Sequence, residues 1–220
     1  MSAAAGIEKA RSLGVAERDG GYRLGAREVH VWVIGLDSLE HRIQTFRESL
    51  SVDERARADR LAVVSDRERF VVGRFALRTI LGWYCRVPTA SVRFAYGPKG
   101  KPCLANGCRR HVHFNLSHSS DLAVLALCSE QPVGVDVEHL RRAPCGPGTG
   151  VRATAFLRHW TRTEALIKAL GEDLSPLDLV ADRETFAGWS VHHFAPADDY
   201  LAAIATWGPN WTIVSRTLSS

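Results

Sequence analysis

Short stretches in which apolar and polar residues alternate predict β-strands along much of the chain. The alternation is clearest in residues 28–36, EVHVWVIGL, and in residues 132–140, PVGVDVEHL. Residues 91–104 favour a strand followed by a Gly/Pro turn. Further strands are predicted in three ranges, 111–119, 122–129 and 188–207.

Three other stretches have the spacing of amphipathic helices. Residues 51–61 begin at Ser51, a residue type that caps helices, and continue with acidic residues in the first turn. Residues 65–85 repeat this pattern with a longer apolar face. Residues 154–171 follow the helical period and end at Gly171, where a glycine favours termination.

The order of these elements predicts the fold class. Helices followed by strands occur twice along the chain, so we expect an α+β protein built from two similar halves. We place the halves at residues 27–116 and 117–220, with the functional site at their junction. The small and polar residues 1–26 are expected to form a loose leader.

Composition and charge narrow the class of protein. An apolar share of 45% over 220 residues supports a globular core, and the net charge of +4 is modest. Five irregularly spaced cysteines argue against a disulfide framework and for a reducing compartment. The N-terminus lacks the apolar core of a signal peptide, and the longest apolar run, residues 122–128, is too short to span a bilayer. We therefore expect a cytoplasmic protein that does not bind a membrane.

The arginine-rich residues 55–70 do not indicate nucleic-acid binding. Acidic residues alternate with the arginines throughout this stretch, which is typical of a solvated helix face. We therefore expect no nucleic-acid partner.

Two acids lie side by side in the strand predicted at residues 132–140. Residues two apart on a strand share a face at a spacing of about 6.5–7 Å, so Asp136 and Glu138 are able to converge on one cation. Val133, Val135 and Val137 then lie on the opposite face. The alternative is that both acids face water on a half-exposed sheet.

A third acid lies in the helix predicted at residues 154–171. Glu164 and Lys168 are four residues apart and therefore share one helix face. Two structural alternatives remain open at this stage. The pair forms a surface ion pair, or Thr161 and Glu164 form a capping box.

Four motifs in this order resemble those of the 4'-phosphopantetheinyl transferases of the surfactin-synthetase-activating type. They are GKP at residues 100–102, FNLSHS at 114–119, GVDVE at 134–138 and WTRTEALIK at 160–168. The resemblance spans about residues 29–207. It implies a pseudo-twofold pair of α+β halves, and a Mg²⁺-dependent transfer of the phosphopantetheine arm of coenzyme A. It further implies that the acceptor is a serine of an apo acyl, aryl or peptidyl carrier protein, from fatty-acid, polyketide or nonribosomal-peptide synthesis, and that 3',5'-ADP is released.

The resemblance also implies roles for particular residues. Asp136, Glu138 and Glu164 are expected to hold Mg²⁺, with Glu164 also the general base. Lys168 is expected to bind a phosphate oxygen or to assist proton transfer. The residues implied for coenzyme A are Arg69, Lys101, Pro102, Ser117, His118 and Lys168. We expect a monomer.

The chain departs from the family pattern at three places. Thr163 stands where the family usually has a lysine that binds phosphate, and Phe70 stands where a hydroxyl residue is often found. The connection over residues 139–159 is shorter than is typical, which we expect to alter carrier recruitment more than chemistry. The alternative function is a degenerate, non-catalytic member that binds coenzyme A or a carrier. The presence of all three acids and of Lys168 argues against that alternative.

Overall fold

The computed structural model describes residues 22–37, 42–97, 100–105, 112–142, 150–171 and 186–218. Within these ranges helices and strands mix along the chain, so the predicted α+β class is confirmed. None of the described helices is long and apolar enough to cross a membrane. Most of the predicted leader, residues 1–21, lies outside the described residues.

The described elements follow the predicted order closely. The strands are β1 (Glu28–Gly35), β2 (Phe94–Tyr96), β3 (Pro102–Leu104), β4 (His113–Ser119), β5 (Leu122–Cys128), β6 (Gly134–His139), β7 (Trp189–Phe194), β8 (Tyr200–Trp207) and β9 (Thr212–Leu218). The helices are α1 (Ile43–Glu48), α2 (Val52–Asp59), α3 (Val64–Cys85) and α4 (Gly150–Leu170). Every predicted strand and helix is present. The structure adds α1, β3 and β9, which the sequence pattern did not predict.

Local chemistry explains two of the helix ends. The carboxylate of Glu54, in the first turn of α2, accepts a hydrogen bond from the amide of Ser51 at 2.9 Å. This bond holds Ser51 at the start of the helix. At the other end of the chain, α4 ends at Gly171, whose φ of +73° is the left-handed conformation that glycine adopts without strain. Both ends had been predicted from these residues.

The strands form two main sheets and one short hairpin. The first sheet has the order β4-β5-β1-β9, in which β9 runs parallel to β1 and the other pairs are antiparallel. The second sheet has the antiparallel order β6-β8-β7, and β2 pairs with β3. Because β9 follows β8 in the chain, the polypeptide returns from the second sheet to the edge of the first.

The core forms four layers: helices, first sheet, second sheet and α4. The outer face of the first sheet, which includes Trp32 and Leu125, packs on α3. Valines of β1 and β5 on its inner face pack against Val135 and Val137 of β6 in the second sheet. The outer face of the second sheet carries small alanines of β8, and α4 packs on them. The inner faces of the two sheets therefore pack against each other, and side chains from both sheets are in contact there.

The two sheets repeat one topology. In each, a first strand is followed by a long helix and then by a hairpin, and the first strand pairs with the second strand of that hairpin. The elements are β1, α3, β4 and β5 in one sheet, and β6, α4, β7 and β8 in the other. The repetition agrees with the expected pair of similar halves. The pseudo-twofold relation and the boundary at residues 116 and 117, which lies within β4, stay predictions.

The cysteines differ in part from the expectation. Cys103 and Cys128 are free thiols, whereas Cys85 is disulfide-bonded. The expectation of reduced thiols was therefore wrong at Cys85. Cysteine spacing along the chain does not tell which side chains meet in the fold, so this disulfide could not be predicted from the sequence.

Candidate active site

The two faces of β6 have different neighbours. Asp136 lies on the face that packs on α4, and the valines lie on the face that packs on the other sheet. Asp136 lies opposite Ala203 of β8, which packs on α4, whereas Val135 lies opposite Ile204 in the core between the sheets. The side chain of Asp136 is buried, with a relative exposure of 3%. The alternative in which both acids face water is therefore wrong for Asp136.

A glycine in β6 lets α4 approach the strand closely. A Cβ atom at Gly134 would lie 1.9 Å from the backbone oxygen of Ala165 and 2.5 Å from the amide nitrogen of Ala169. Gly134 shares the face of Asp136, so this close approach brings the last turns of α4 next to the acid. No role for Gly134 could be predicted from the motif, because the role of this glycine depends on a contact between distant parts of the chain.

Asp136, Ser117 and Lys168 form one hydrogen-bonded group. The Lys168 ammonium donates to Asp136 Oδ1 at 2.5 Å and to Ser117 Oγ at 3.1 Å. The Ser117 hydroxyl donates to the same Oδ1 atom at 2.9 Å. Residues from β4, β6 and α4 thus meet at one carboxylate, and the structure brings together three of the predicted site residues.

The second oxygen of Asp136 is buried and unpaired within the described part of the chain. Oδ2 has no hydrogen-bond partner among the residues that the structure describes. Burial raises the pKa of Asp136, and the nearby charge of Glu138 adds to the rise, although Lys168 and Ser117 act in the opposite direction. A buried carboxylate oxygen without a donor suits a cation, because ionised carboxylates are acceptors only. The residues present therefore fit a hard cation at Asp136.

The other two predicted metal ligands, Glu138 and Glu164, are less enclosed than Asp136. Glu138 is half-buried and accepts a hydrogen bond from the Ser119 hydroxyl at 2.8 Å. Glu164 is half-buried on α4, one turn before Lys168. Within the described ranges, no group of three or more His, Cys, Asp or Glu side chains is arranged to hold a metal ion. The three-acid metal site stays a prediction.

Both structural alternatives for the α4 acid are ruled out. Thr161 lies in the interior of α4, and its hydroxyl donates to the Leu157 carbonyl at 2.8 Å, so it does not cap the helix. The ion pair of Lys168 is with Asp136 on another element. Lys168 therefore does not serve a surface pair with Glu164.

Three of the residues implied for coenzyme A line one cavity. Arg69 of α3, Pro102 of β3 and His118 of β4 border a cavity of about 510 Å³. The Arg69 guanidinium binds both oxygens of Asp37, at 2.7 and 2.8 Å. His118 is exposed on the face of β4 opposite Ser117, as expected for adjacent strand residues.

Lys101 lies on the other side of Pro102. It borders a second cavity of about 370 Å³, together with Pro102 and the end of α4. Its ammonium donates to the backbone carbonyl of Lys168, where the helix has unpaired carbonyl groups. Burial lowers the pKa of Lys101. The structure thus joins Lys101 to α4 and separates it from Arg69 and His118.

The departures from the family pattern have distinct surroundings. Thr163 is buried, with a relative exposure of 7%. Phe70 lines the larger cavity, and the Arg57 guanidinium lies 5.5 Å from the centre of its ring. Within the shortened connection over residues 139–159, residues 143–149 lie outside the described residues. The predicted effects of these departures stay predictions.

Comparisons with known proteins agree with this site. A family model described as "4'-phosphopantetheinyl transferase, N-terminal" matches residues 37–130. The 4'-phosphopantetheinyl transferase HetI of Nostoc sp. is 34% identical over 84% of this chain and 90% of its own length. The 4'-phosphopantetheinyl transferases ffp of Bacillus subtilis and psf-1 of Bacillus pumilus are 28% and 27% identical, over 59% and 61% of this chain and 64% and 63% of their own lengths.

The extent and identity of the match to HetI assign the class. The chain belongs to the 4'-phosphopantetheinyl transferases, so it is a transferase enzyme that uses coenzyme A as substrate. The Bacillus relatives support the surfactin-synthetase-activating type. The resemblance inferred from the four motifs is confirmed.

Proposed function

We propose that the chain transfers the 4'-phosphopantetheine arm of coenzyme A to a serine of an apo carrier protein, in a Mg²⁺-dependent reaction that releases 3',5'-ADP. The observation that carries this proposal is the buried carboxylate of Asp136. One of its oxygens accepts a hydrogen bond from Lys168, and the other has no partner among the described residues. A catalytic site for diphosphate chemistry needs both a cation and a place for phosphate oxygens. The open oxygen of Asp136 supports a cation position, and the Lys168 ammonium supports a position for a phosphate oxygen.

Asp136, Glu138 and Glu164 are the residues proposed to hold Mg²⁺. Their oxygens are the hard donors that Mg²⁺ prefers, and the open Oδ2 atom of Asp136 supports the assignment. When bound, the ion supplies charge neutralisation at the diphosphate. Lys168 is proposed to bind a phosphate oxygen, because its ammonium already lies among the polar atoms of the site.

Glu164 is proposed as the general base. Its carboxylate takes the proton of the carrier serine, directly or through a water molecule, as the serine oxygen forms its bond to phosphorus. The bond between that phosphorus and the bridging oxygen breaks, and 3',5'-ADP leaves with the electron pair. The position of Glu164 one helical turn from Lys168 supports this role, since side chains four residues apart share a helix face.

Coenzyme A is proposed to lie across the hairpin that contains Pro102. Arg69 and His118 would bind its phosphates or nucleotide from the larger cavity, which supports their assignment because both are cationic or able to become so. Lys101 and Ser117 would contact it on the α4 side of Pro102. Coenzyme A would then lie at the junction of the two proposed halves, residues 27–116 and 117–220.

The acceptor is proposed to be an acyl, aryl or peptidyl carrier protein, met in the cytoplasm by a monomeric enzyme. The test incubates the enzyme with coenzyme A, Mg²⁺ and several purified apo carriers, and follows carrier mass and 3',5'-ADP. We expect a mass gain of one phosphopantetheine group on at least one carrier, and none with a chelator present. Binding of coenzyme A without any transfer would support the non-catalytic alternative instead.

A further inference from the structure

A row of polar side chains on β4 faces the second sheet. Asn115, Ser117 and Ser119 lie opposite Ala126, Val124 and Leu122 of β5, and these apolar partners belong to the core between the two sheets. We call these three residues the β4 polar row. All three are buried. Polar groups buried at this depth are normally retained for a specific hydrogen bond, so each requires an identified partner.

The β4 polar row supplies hydrogen bonds to β6, which is the edge strand of its sheet. The Val135 amide donates to Asn115 Oδ1 at 2.9 Å, and the His139 amide donates to Ser119 Oγ at 3.1 Å. These amides lie near the two ends of β6, and Ser117 reaches Asp136 between them. Side chains therefore join the two sheets at this seam in place of a backbone ladder.

Ser119 has a fixed hydrogen-bonding direction. Its hydroxyl accepts from the His139 amide and donates to Glu138 Oε2 at 2.8 Å. An amide N–H donates only and a carboxylate accepts only, so the two roles of the hydroxyl are not interchangeable. The side chain has a relative exposure of 0%, which excludes water as a replacement partner at the surface. Glu138 is therefore held from one side by a donor that β4 fixes in place.

We infer that Ser119 is a positioning residue that orients the Glu138 carboxylate toward Asp136. The inference rests on the proposed function in one respect, namely that Glu138 holds the metal. Partners that hydrogen-bond a metal-binding carboxylate fix its orientation, and their loss typically lowers metal affinity or activity by about 10- to 100-fold. The side-chain hydroxyl of Ser119 is used for Glu138 and the His139 amide, so we assign it a role that acts through Glu138.

The first experiment compares Ser119→Ala with the wild type. We expect the dissociation constant for Mg²⁺, measured by calorimetry in the presence of coenzyme A, to rise about tenfold or more. kcat should fall by a similar factor, whereas KM for the carrier should stay unchanged. Ser119→Cys, whose thiol is a weak donor and acceptor, should lie between the two. Thr206→Val, which removes another buried strand hydroxyl, should leave Mg²⁺ binding unchanged.

A cycle with Glu138→Gln separates positioning from general destabilisation. If Ser119 acts through Glu138, Ser119→Ala should weaken Mg²⁺ binding much less in the Glu138→Gln background than in the wild type. Equal weakening in both backgrounds would overturn the inference. So would unchanged Mg²⁺ binding in Ser119→Ala.

Amide hydrogen exchange tests the geometry without any turnover. In Ser119→Ala the His139 amide should exchange faster, while the Val135 amide, which is held by Asn115, should keep its protection. Unchanged protection of His139 would contradict the placement of Ser119. A wild type that transfers nothing would refute the proposed function, but the Mg²⁺ titration and the exchange of His139 would still decide the role of Ser119.

Discussion

Glu54 and Asp136 are carboxylates with the same low solvent exposure whose pKa values shift in opposite directions. Each has a relative exposure of 3%, and each is paired with a cationic side chain on a long helix. The pKa of Glu54 is lowered, whereas the pKa of Asp136 is raised. Asp136 is more deeply enclosed by protein atoms than Glu54, and it has fewer donors, so both burial and the donors around each group contribute to the difference in pKa.

Glu54 has a partner for both of its oxygens. Burial by itself would raise the pKa of Glu54, but the Ser51 amide and the guanidinium groups of Arg74 and Arg78 outweigh burial. Arg78 donates to Oε2 at 2.7 Å and also to the Val92 carbonyl at 2.7 Å, so the arginine is satisfied too. This network joins α2 to α3 and leaves no open position on Glu54.

Asp136 has one satisfied oxygen and one open oxygen. Lys168 and Ser117 share Oδ1, and Oδ2 has no partner within the described part of the chain. A group left in this state costs stability, because its buried charge is only partly compensated. Glu54 is thus satisfied within the fold, whereas the open oxygen of Asp136 supports the proposal that this group binds a ligand.

The largest expected effect is on turnover, from Asp136→Asn. The amide keeps an acceptor for Lys168 but removes the charge proposed to hold Mg²⁺. That charge stabilisation is worth several kcal/mol, so we expect kcat to fall by about 10³-fold. The melting temperature should change little. Steady-state transfer to an apo carrier and thermal unfolding check both parts, and near-normal kcat at saturating Mg²⁺ would refute the assignment.

The next largest effect is on stability, from Glu54→Ala. Removing one partner of a buried ion pair leaves an uncompensated charge on Arg78, which costs about 3–5 kcal/mol. Turnover per folded molecule should stay normal. Urea unfolding and activity at low temperature measure the two quantities. The matched control, Asp59→Ala, removes an exposed partner of Arg47 and should barely change the unfolding free energy.

A third buried group, His30, leads us to expect that the free energy of unfolding falls at acidic pH. Burial and the charge of Arg216 lower the pKa of His30 to about 4, and its Nδ1 lies 2.6 Å from the Tyr84 hydroxyl. The unfolded chain binds the proton more readily, so stability should fall from pH 6.5 toward pH 4, by about 3 kcal/mol at 1.36 kcal/mol per pKa unit. The change His30→Gln should flatten this fall in unfolding measurements.

Asp136 should act in the opposite direction to His30. Its raised pKa means that the folded state binds a proton more readily than the unfolded state does, so its protonation at falling pH favours folding. In His30→Gln, therefore, Asp136→Asn should remove a small gain in stability on acidification. A loss of stability from Asp136 protonation would contradict the unpaired state of Oδ2.

A change at Gly134, Gly134→Ala, tests the approach of α4 to Asp136. The added Cβ would meet the Ala165 carbonyl, so the helix has to shift, at a cost of about 1–3 kcal/mol. The shift should lengthen the contact between Asp136 and Lys168 and lower kcat. Unfolding and transfer assays measure both effects. A fall in stability with normal kcat would show that this contact does not depend on the close approach.

Local patterns were sufficient to predict β6, α4 and the side of β6 on which Asp136 lies. Alternation along residues 132–140 placed the valines opposite the acids, and Gly171 marked the end of α4, because both signals lie within one element. The full burial of Asp136 was not predicted. It depends on α4 and β4, which contribute Lys168 and Ser117 from distant positions in the chain.

The residues that the sequence did not reveal act through long-range contacts. Ser119 alternates with Ser117 in β4, which is a usable signal for a polar face, but its partner Glu138 is set by the packing of two sheets. Strand β9 pairs in parallel with β1 from the far end of the chain, and no local pattern specifies that partner. Topology, rather than propensity, decides these features.

The central claim is that the open oxygen of Asp136 is a position for Mg²⁺ beside coenzyme A. The most direct measurement is a calorimetric titration of coenzyme A into the wild type and into Asp136→Asn, each with Mg²⁺ and with a chelator. We expect Mg²⁺ to strengthen binding to the wild type by about tenfold or more, equivalent to at least about 1.4 kcal/mol, and to have little effect on Asp136→Asn. An equal effect of Mg²⁺ on both proteins would contradict it.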